Sequence, residues 1–254
     1  MSKRNYFHTK FDYSSRDAQT TWRTINDILS RNKSKTNISS FREDSSQVSD
    51  PNTIVNHFNE FFVNIGSNLA RRITSSKTFD EYLSNSNLCS SSLFLNPVSE
   101  EEVLKVAFAS LKPNKSAGSD NLKPDIIRLV IPYVLKPLSH IFNLSFITGV
   151  FPCRLKIAKV IPIFKKDDPH LYENYRPISI LPCISKILER LMFNRIIAFL
   201  DKHDLLFEDQ YGFRPAHSTE SALLSALNKI YNAIELKNSA VGIFLDLSKA
   251  FDTH

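Results

Sequence analysis

Glycine is nearly absent, with five residues in 254, about 2% against an ordinary ~7%. That shortage excludes collagen-like repeats and weighs against propellers and glycine-rich barrels. Cysteine is scarce too. Cys89, Cys153 and Cys183 are odd in number and far apart, and no Cys-x-x-Cys pair occurs. With the seven histidines scattered singly, neither a zinc ribbon nor a secreted disulfide scaffold is expected, and these residues are given no role. Long hydrophobic runs are missing. Nowhere do ~18 apolar residues follow one another, and the opening MSKRNYFHTK is polar rather than the start of a secretory signal. The expectation is an intracellular chain, nuclear or cytoplasmic, neither secreted nor in contact with a membrane.

What is present suffices for a core. Hydrophobic residues make up 42% and aromatics 11%, with nineteen phenylalanines, which excludes a wholly disordered chain. A length of 254 fits one large domain or two modest ones at ~100–200 residues each. Lys and Arg number 32 against 26 Asp and Glu, a net charge of +6. That balance permits a polyanionic partner, since neutralised phosphates release counterions, and equally fits a solvated basic surface.

Two regions differ in texture. Residues 1–95 are expected to be a helical spacer, and 31–53 and 74–92, rich in Ser and Asn, read as exposed linkers. Trp22, Ile25, Ile28 and Leu29 follow helical spacing in the first patch. Behind Asp50-Pro51, a cap followed by proline, Ile54, Phe58, Phe61, Phe62, Ile65 and Leu69 form the stripe of a second helix. From residue 96 to 254 the chain is denser. Ser99-Glu100-Glu101-Glu102 is a capping box that starts a helix with Val103, Val106 and Leu111 inward. Helices follow over about 124–131 and 133–148, the second ended by Gly149. IAKVIPIF at 157–164 is a strand that the charged KKDDPHLYENYRP connects to PISILP, and the two can form a hairpin. A helix over 184–202 with Ile187, Leu188, Leu191, Ile196 and Leu200 inside comes next. Another, capped by Ser218 or Thr219, runs to about 236. AVGIFLDL at 240–247 reads as a buried strand. The fold class expected is α+β, mostly helical.

Three features bear on chemistry. The strand 240–247 would deliver Asp246 where a rigid scaffold meets solvent, either as an oxygen ligand for a hard cation or as the cap of a following helix. Lys156, Lys159, Lys165, Lys166 and Arg176, interleaved with Tyr172 and Tyr175, suit phosphate groups, or else protect an exposed strand edge. The loops NKSAGSD (114–120) and QYGFRP (210–215) match no phosphate-loop fingerprint, and Asp167-Asp168 reads as a solvated pair.

LKPNKSAGSDNLKPDII, VIPIFKKDD, NYRPISILPCISKILERLMFNRI, DQYGFRPAHST and FLDLSKAFDTH stand here in one order. That succession resembles the reverse transcriptases of non-LTR retrotransposons, of the jockey-like and CR1-like kind, over about residues 96–254. Residues 17–72, with FNEFFVNIG, resemble the spacer upstream of such polymerases. The resemblance implies the fingers and first palm strand of a right-hand polymerase, truncated. It implies RNA-templated DNA synthesis from dNTPs on a DNA primer by two-metal transfer with Mg²⁺; protein partners are left unassigned. By position, Asp246 matches a metal-binding aspartate, with the Leu247 carbonyl beside it, and Phe251 an aromatic gate against ribose. Lys165 and Arg176 match residues that clamp the incoming triphosphate. Lys115 matches a template contact, and Gln210, Gly212 and Arg214 a loop near the template and nucleotide pocket. The family's second catalytic motif, aromatic-x-Asp-Asp, is absent from this sequence. The alternatives are therefore a non-catalytic nucleic-acid-binding fragment and a degenerate remnant.

Overall fold

Asp17 and Asp50 start the first helices by one device, a carboxylate turned back onto the backbone two or three residues on. Asp17 accepts from the Thr20 N–H at 3.2 Å and from the Thr20 hydroxyl, ahead of α1 (Ala18–Ile28). After the short strands β1 (Phe41–Glu43) and β2 (Ser46–Val48), Asp50 accepts from the Thr53 hydroxyl at 2.7 Å and its N–H at 2.8 Å. Pro51 then opens α2 (Pro51–Ala70), and the Thr53 hydroxyl and N–H hold the Asp50 carboxyl below its ordinary value. The computed structural model describes residues 6–9, 11, 17–29, 40–43, 46–71 and 91–246. It separates into two compact units, one of residues 1–58 and 166–174, the other of 59–165 and 175–254.

In the first unit, β1 and β2 pair antiparallel with Phe41 opposite Val48. This corrects part of the expected linker 31–53, since Ser40 and Phe41 are buried; residues 31–39 lie outside the described ones. An isolated Phe among polar neighbours carries no periodic signal, and its burial is set by tertiary contacts. The linker expected at 74–92 falls mostly outside the described residues as well. Helix α1 forms as the spacing predicts, but the face is wrong. Trp22 and Leu29 are exposed and Thr24 is the buried residue.

The core belongs to the second unit. Ser99 accepts from the Glu102 N–H at 3.1 Å and starts α3 (Glu100–Ser110). Only half of the expected capping box bonds locally, because the Glu102 carboxylate faces Arg195 instead. Helix α4 (Pro124–Val130) passes through a 3₁₀ turn at Ile131–Tyr133 into α5 (Leu135–Thr148), and Gly149, at φ 67°, ends α5 in the left-handed conformation that suits glycine. Two long helices complete the set, α6 (Cys183–Lys202) and α7 (Thr219–Glu235). Val103, Ala107, Leu111, Ile131, Phe142, Ile187, Leu188 and Leu191 meet in one cluster. Each large side chain buried there contributes about 1.5–3 kcal/mol relative to exposure. Ile196, expected inside α6, lies on its exposed side.

Two polar side chains tie the cluster to the segment before α3. Asn143 accepts from the Val98 N–H at 2.7 Å and donates to the Val98 carbonyl at 3.0 Å. Its amide thus pairs with backbone as a neighbouring strand residue would. Arg195 places all five of its N–H groups. No single helix among the described residues is long and apolar enough to cross a membrane. The runs Pro124–Tyr133 and Leu135–Thr148 reach that length only together, across a 97° bend.

Candidate functional site

Strands β3 (Lys159–Phe164) and β4 (Tyr175–Ile180) form the expected hairpin, paired antiparallel from Lys159–Ile180 to Phe164–Tyr175. Pro162 stands directly opposite Pro177. Opposed residues in an antiparallel ladder alternate between pairs that exchange two hydrogen bonds and pairs that exchange none. Two prolines have no N–H to give, so theirs is a pair of the second kind, with both nitrogens turned to the outer edges. The ladder is thereby kept intact inside and interrupted outside.

This register places one of the expected residues, Arg176, opposite Ile163. Lys165 directly follows β3 at the same end of the hairpin, and both residues are exposed. A guanidinium is a planar fork for phosphate oxygens and an ammonium a point charge. Phe164 and Tyr175, the next pair of the ladder, meet with ring centroids 5.6 Å apart.

At the other end of the ladder, about 17 Å away at ~3.4 Å per residue, sits the loop that carries Lys115. Gly118 lies against Leu181 and Pro182, just after β4, and the Ser119 hydroxyl donates to the Ile157 carbonyl at 2.9 Å, just before β3. The 114–120 loop therefore belongs to the hairpin base, and Lys115 is exposed there.

The loop 210–215 is built differently. Arg214 donates to the Phe207 carbonyl at 2.9 Å and Gln210 to the Gly212 carbonyl at 3.4 Å. Asp209 pairs with Lys229 of α7 at 2.6 Å, and Ser218 caps α7 in a reciprocal box with Ser221. Phe213 sits at φ 61°, a strained choice for an aromatic residue, and is 90% exposed. Arg214 is thus spent partly on holding its own loop.

Residues 240–246 depart most from expectation. They adopt no regular structure, and Val241, Ile243, Phe244 and Leu245 are exposed, the last two by 97% and 91%. A strand of the buried kind needs neighbours on both edges. Both sheets among the described residues are two-stranded, and neither includes this segment. Asp246 is thus exposed and not delivered by a strand. Leu247 and Phe251 lie outside the described residues. No group of three His, Cys, Asp or Glu among the described residues is arranged to hold a metal ion. Magnesium binds through one or two carboxylates plus substrate phosphates, and Asp246 could offer one such carboxylate.

Sequence reading missed two clusters. Asp168 is no idle solvated acid: it accepts from the His170 N–H at 2.9 Å and from Arg42 at 3.2 Å. The second is a cleft of about 530 Å³ between α3 and α6, lined by Ser110, Lys186, Glu189, Arg190 and Phe193. There burial pushes the Glu189 carboxyl up, and Arg190 lies over the Phe193 ring at 4.8 Å. The first was masked by Pro169 and the second by ordinary helical spacing.

Residues 163–253 match the family model described as reverse transcriptase (RNA-dependent DNA polymerase). The chain is 40% identical over 162 residues to the RNA-directed DNA polymerase from mobile element jockey of Drosophila melanogaster, across 63% of this chain and 18% of that protein. It is 39% identical over 158 residues to the protein of the same name in Drosophila funebris, across 62% and 17%. To the probable RNA-directed DNA polymerase from transposon BS of Drosophila melanogaster it is 33% identical over 162 residues, across 63% and 18%. Over about three-fifths of its length the chain is thus similar to part of these RNA-directed DNA polymerases. It spans less than a fifth of the length of these relatives.

Proposed function

We propose that this chain supplies the phosphate-holding fingers of a reverse transcriptase that copies an RNA template from a DNA primer with dNTPs. The observation that carries the reading is the β3–β4 register. It sets Arg176 opposite Ile163, with Lys165 directly after β3 at the same end of the hairpin, inside the segment similar to the family model, and this supports the two as phosphate contacts. In this reading the two cations hold phosphate oxygens, and Lys115 and the loop of Gln210, Gly212 and Arg214 contact the template strand. Asp246 offers one carboxylate toward Mg²⁺, and no transfer step is assigned to these residues.

The purified 254 residues are expected to bind single-stranded RNA with an affinity that falls as salt rises, by ~0.7 in log–log slope per phosphate contact. Lys165→Ala with Arg176→Ala should flatten the slope by about 1.4, two such contacts, while Asp246→Ala leaves it unchanged. Fluorescence anisotropy across a salt series measures this. Binding that ignores salt, or a slope indifferent to the double variant, would overturn the reading and favour the degenerate remnant. Primer extension by these residues alone is expected to be undetectable, and Mg²⁺-dependent dNTP incorporation would contradict that.

A further inference from the structure

The loop between Lys165 and Arg176 does not hang free. Residues 166–174 form one unit with the segment 1–58, and their contacts are dense. The Tyr172 ring stacks on Phe41 with centroids 4.9 Å apart and planes 19° off parallel. Phe58 meets Tyr172 edge-on at 4.8 Å and Phe41 edge-on at 5.0 Å, closing a three-ring cluster in which Phe41 and Phe58 are buried. His57, on the turn before Phe58, stands edge-on to the same tyrosine at 5.9 Å.

Polar contacts fix the rest of the loop to β1. The Arg42 N–H donates to the His170 carbonyl at 2.9 Å, and the His170 ring bonds the Ser40 carbonyl through Nδ1 at 2.8 Å. The Arg42 guanidinium pairs with Asp168 at 3.2 Å, and Asn174 donates to the Asp168 carbonyl at 2.9 Å, which braces the loop from within. Aromatic pairs are worth about 0.5–1.5 kcal/mol beyond their burial, whereas an exposed ion pair alone is worth little. The rings are therefore the anchor and the polar groups set the register.

We propose that the segment 40–58 is a clasp on the loop 166–174, whose two chain ends lead into Lys165 and Arg176. Phe41, Phe58 and Arg42, with their partners Asp168 and Tyr172, are positioning residues that act on those two cations only through the chain. This rests on the reading of Lys165 and Arg176 as phosphate contacts. With the loop held, its flanking residues have less freedom to lose when phosphate binds.

The test uses the full 254 residues and a single-stranded RNA oligonucleotide, with Asp168→Asn as the telling variant. It raises the net charge by one, so plain electrostatics predicts tighter binding. A clasp predicts the opposite: weaker binding and a slope flattened toward that of Lys165→Ala/Arg176→Ala. Tyr172→Ala should do the same and add nothing when combined with that pair, while Tyr172→Phe, which keeps the ring, should match the unaltered chain. Far-ultraviolet circular dichroism confirms that the helices persist; if Tyr172→Ala fails to fold, Asp168→Asn decides alone. A normal slope in both, or tighter binding by Asp168→Asn, overturns the clasp while the phosphate reading stands. If the unaltered chain shows no salt-dependent binding, the phosphate reading itself has failed.

Discussion

Replacing Arg195 by alanine should destabilise the helical core by about 1–3 kcal/mol, the range for leaving polar groups without their partner, tempered because Glu102 is a third exposed. The side chain is 12% exposed and has no idle donor. Nε donates to the Asn96 carbonyl at 2.6 Å. One terminal nitrogen reaches Glu102 at 2.9 Å and the Leu191 carbonyl at 3.0 Å, the other Glu102 at 2.9 Å and the Pro97 carbonyl at 3.2 Å. The guanidinium also lies over Phe146, 5.1 Å from the ring centre. Alanine would strand the Glu102 carboxylate and leave two carbonyls of the segment before α3 without this donor. Lysine should rescue little, since three donors on a point charge cannot reproduce the planar fork. Thermal unfolding reads the loss, at about 2–4 °C per kcal/mol for a chain of this size. A fall of under 2 °C for Arg195→Ala would show that the network is ornamental.

Gly118→Ala is the second change with a large effect expected. The reason is space rather than backbone freedom. A Cβ at this position would lie 2.7 Å from the Pro182 nitrogen and 2.8 Å from the Leu181 carbonyl carbon and oxygen. These are backbone atoms, which cannot swing aside as a side-chain tip can. The loop must lift from the hairpin base, straining the Ser119–Ile157 bond, at a cost of about 1–3 kcal/mol or more. Gly212→Ala is the control, because a Cβ there meets open space; its stability should stay within about 0.5 kcal/mol of the parent. Urea unfolding of the pair would separate them. Equal stabilities for Gly118→Ala and Gly212→Ala would contradict the packing described.

Local chemistry made most helices legible. Asp50-Pro51, Ser99, Gly149 and Ser218 each carry a cap or stop whose mechanism acts within four residues, and each helix begins or ends there. The strand pair was legible from β-branched residues flanking a charged connection. What failed required knowledge of distant partners. Phe41 in a polar stretch gave no sign that Tyr172, more than a hundred residues on, would cover it. Asp168 read as solvated because nothing near it in sequence announces Arg42. AVGIFLDL has a strand's composition, yet composition supplies no neighbouring edge, and 240–246 stays irregular. The candidate site divides along the same line. Arg176 sits in a hairpin legible from short-range pattern and Lys165 directly follows its first strand, whereas Asp246 depended on a sheet that the described residues do not build.

The opposed prolines bear on how this polypeptide would fail in the test tube. Cross-β stacking recruits strands through an unbroken row of outward N–H donors and carbonyl acceptors. Pro162 and Pro177 each delete a donor from that row, one on either edge, so the hairpin is a poor seed for fibrils despite its Val and Ile content. Val241–Leu245 keeps every donor, is apolar and is exposed. Misassembly would therefore begin at this short segment, and a solubilising charge placed at Phe244 would do more than any change to the hairpin.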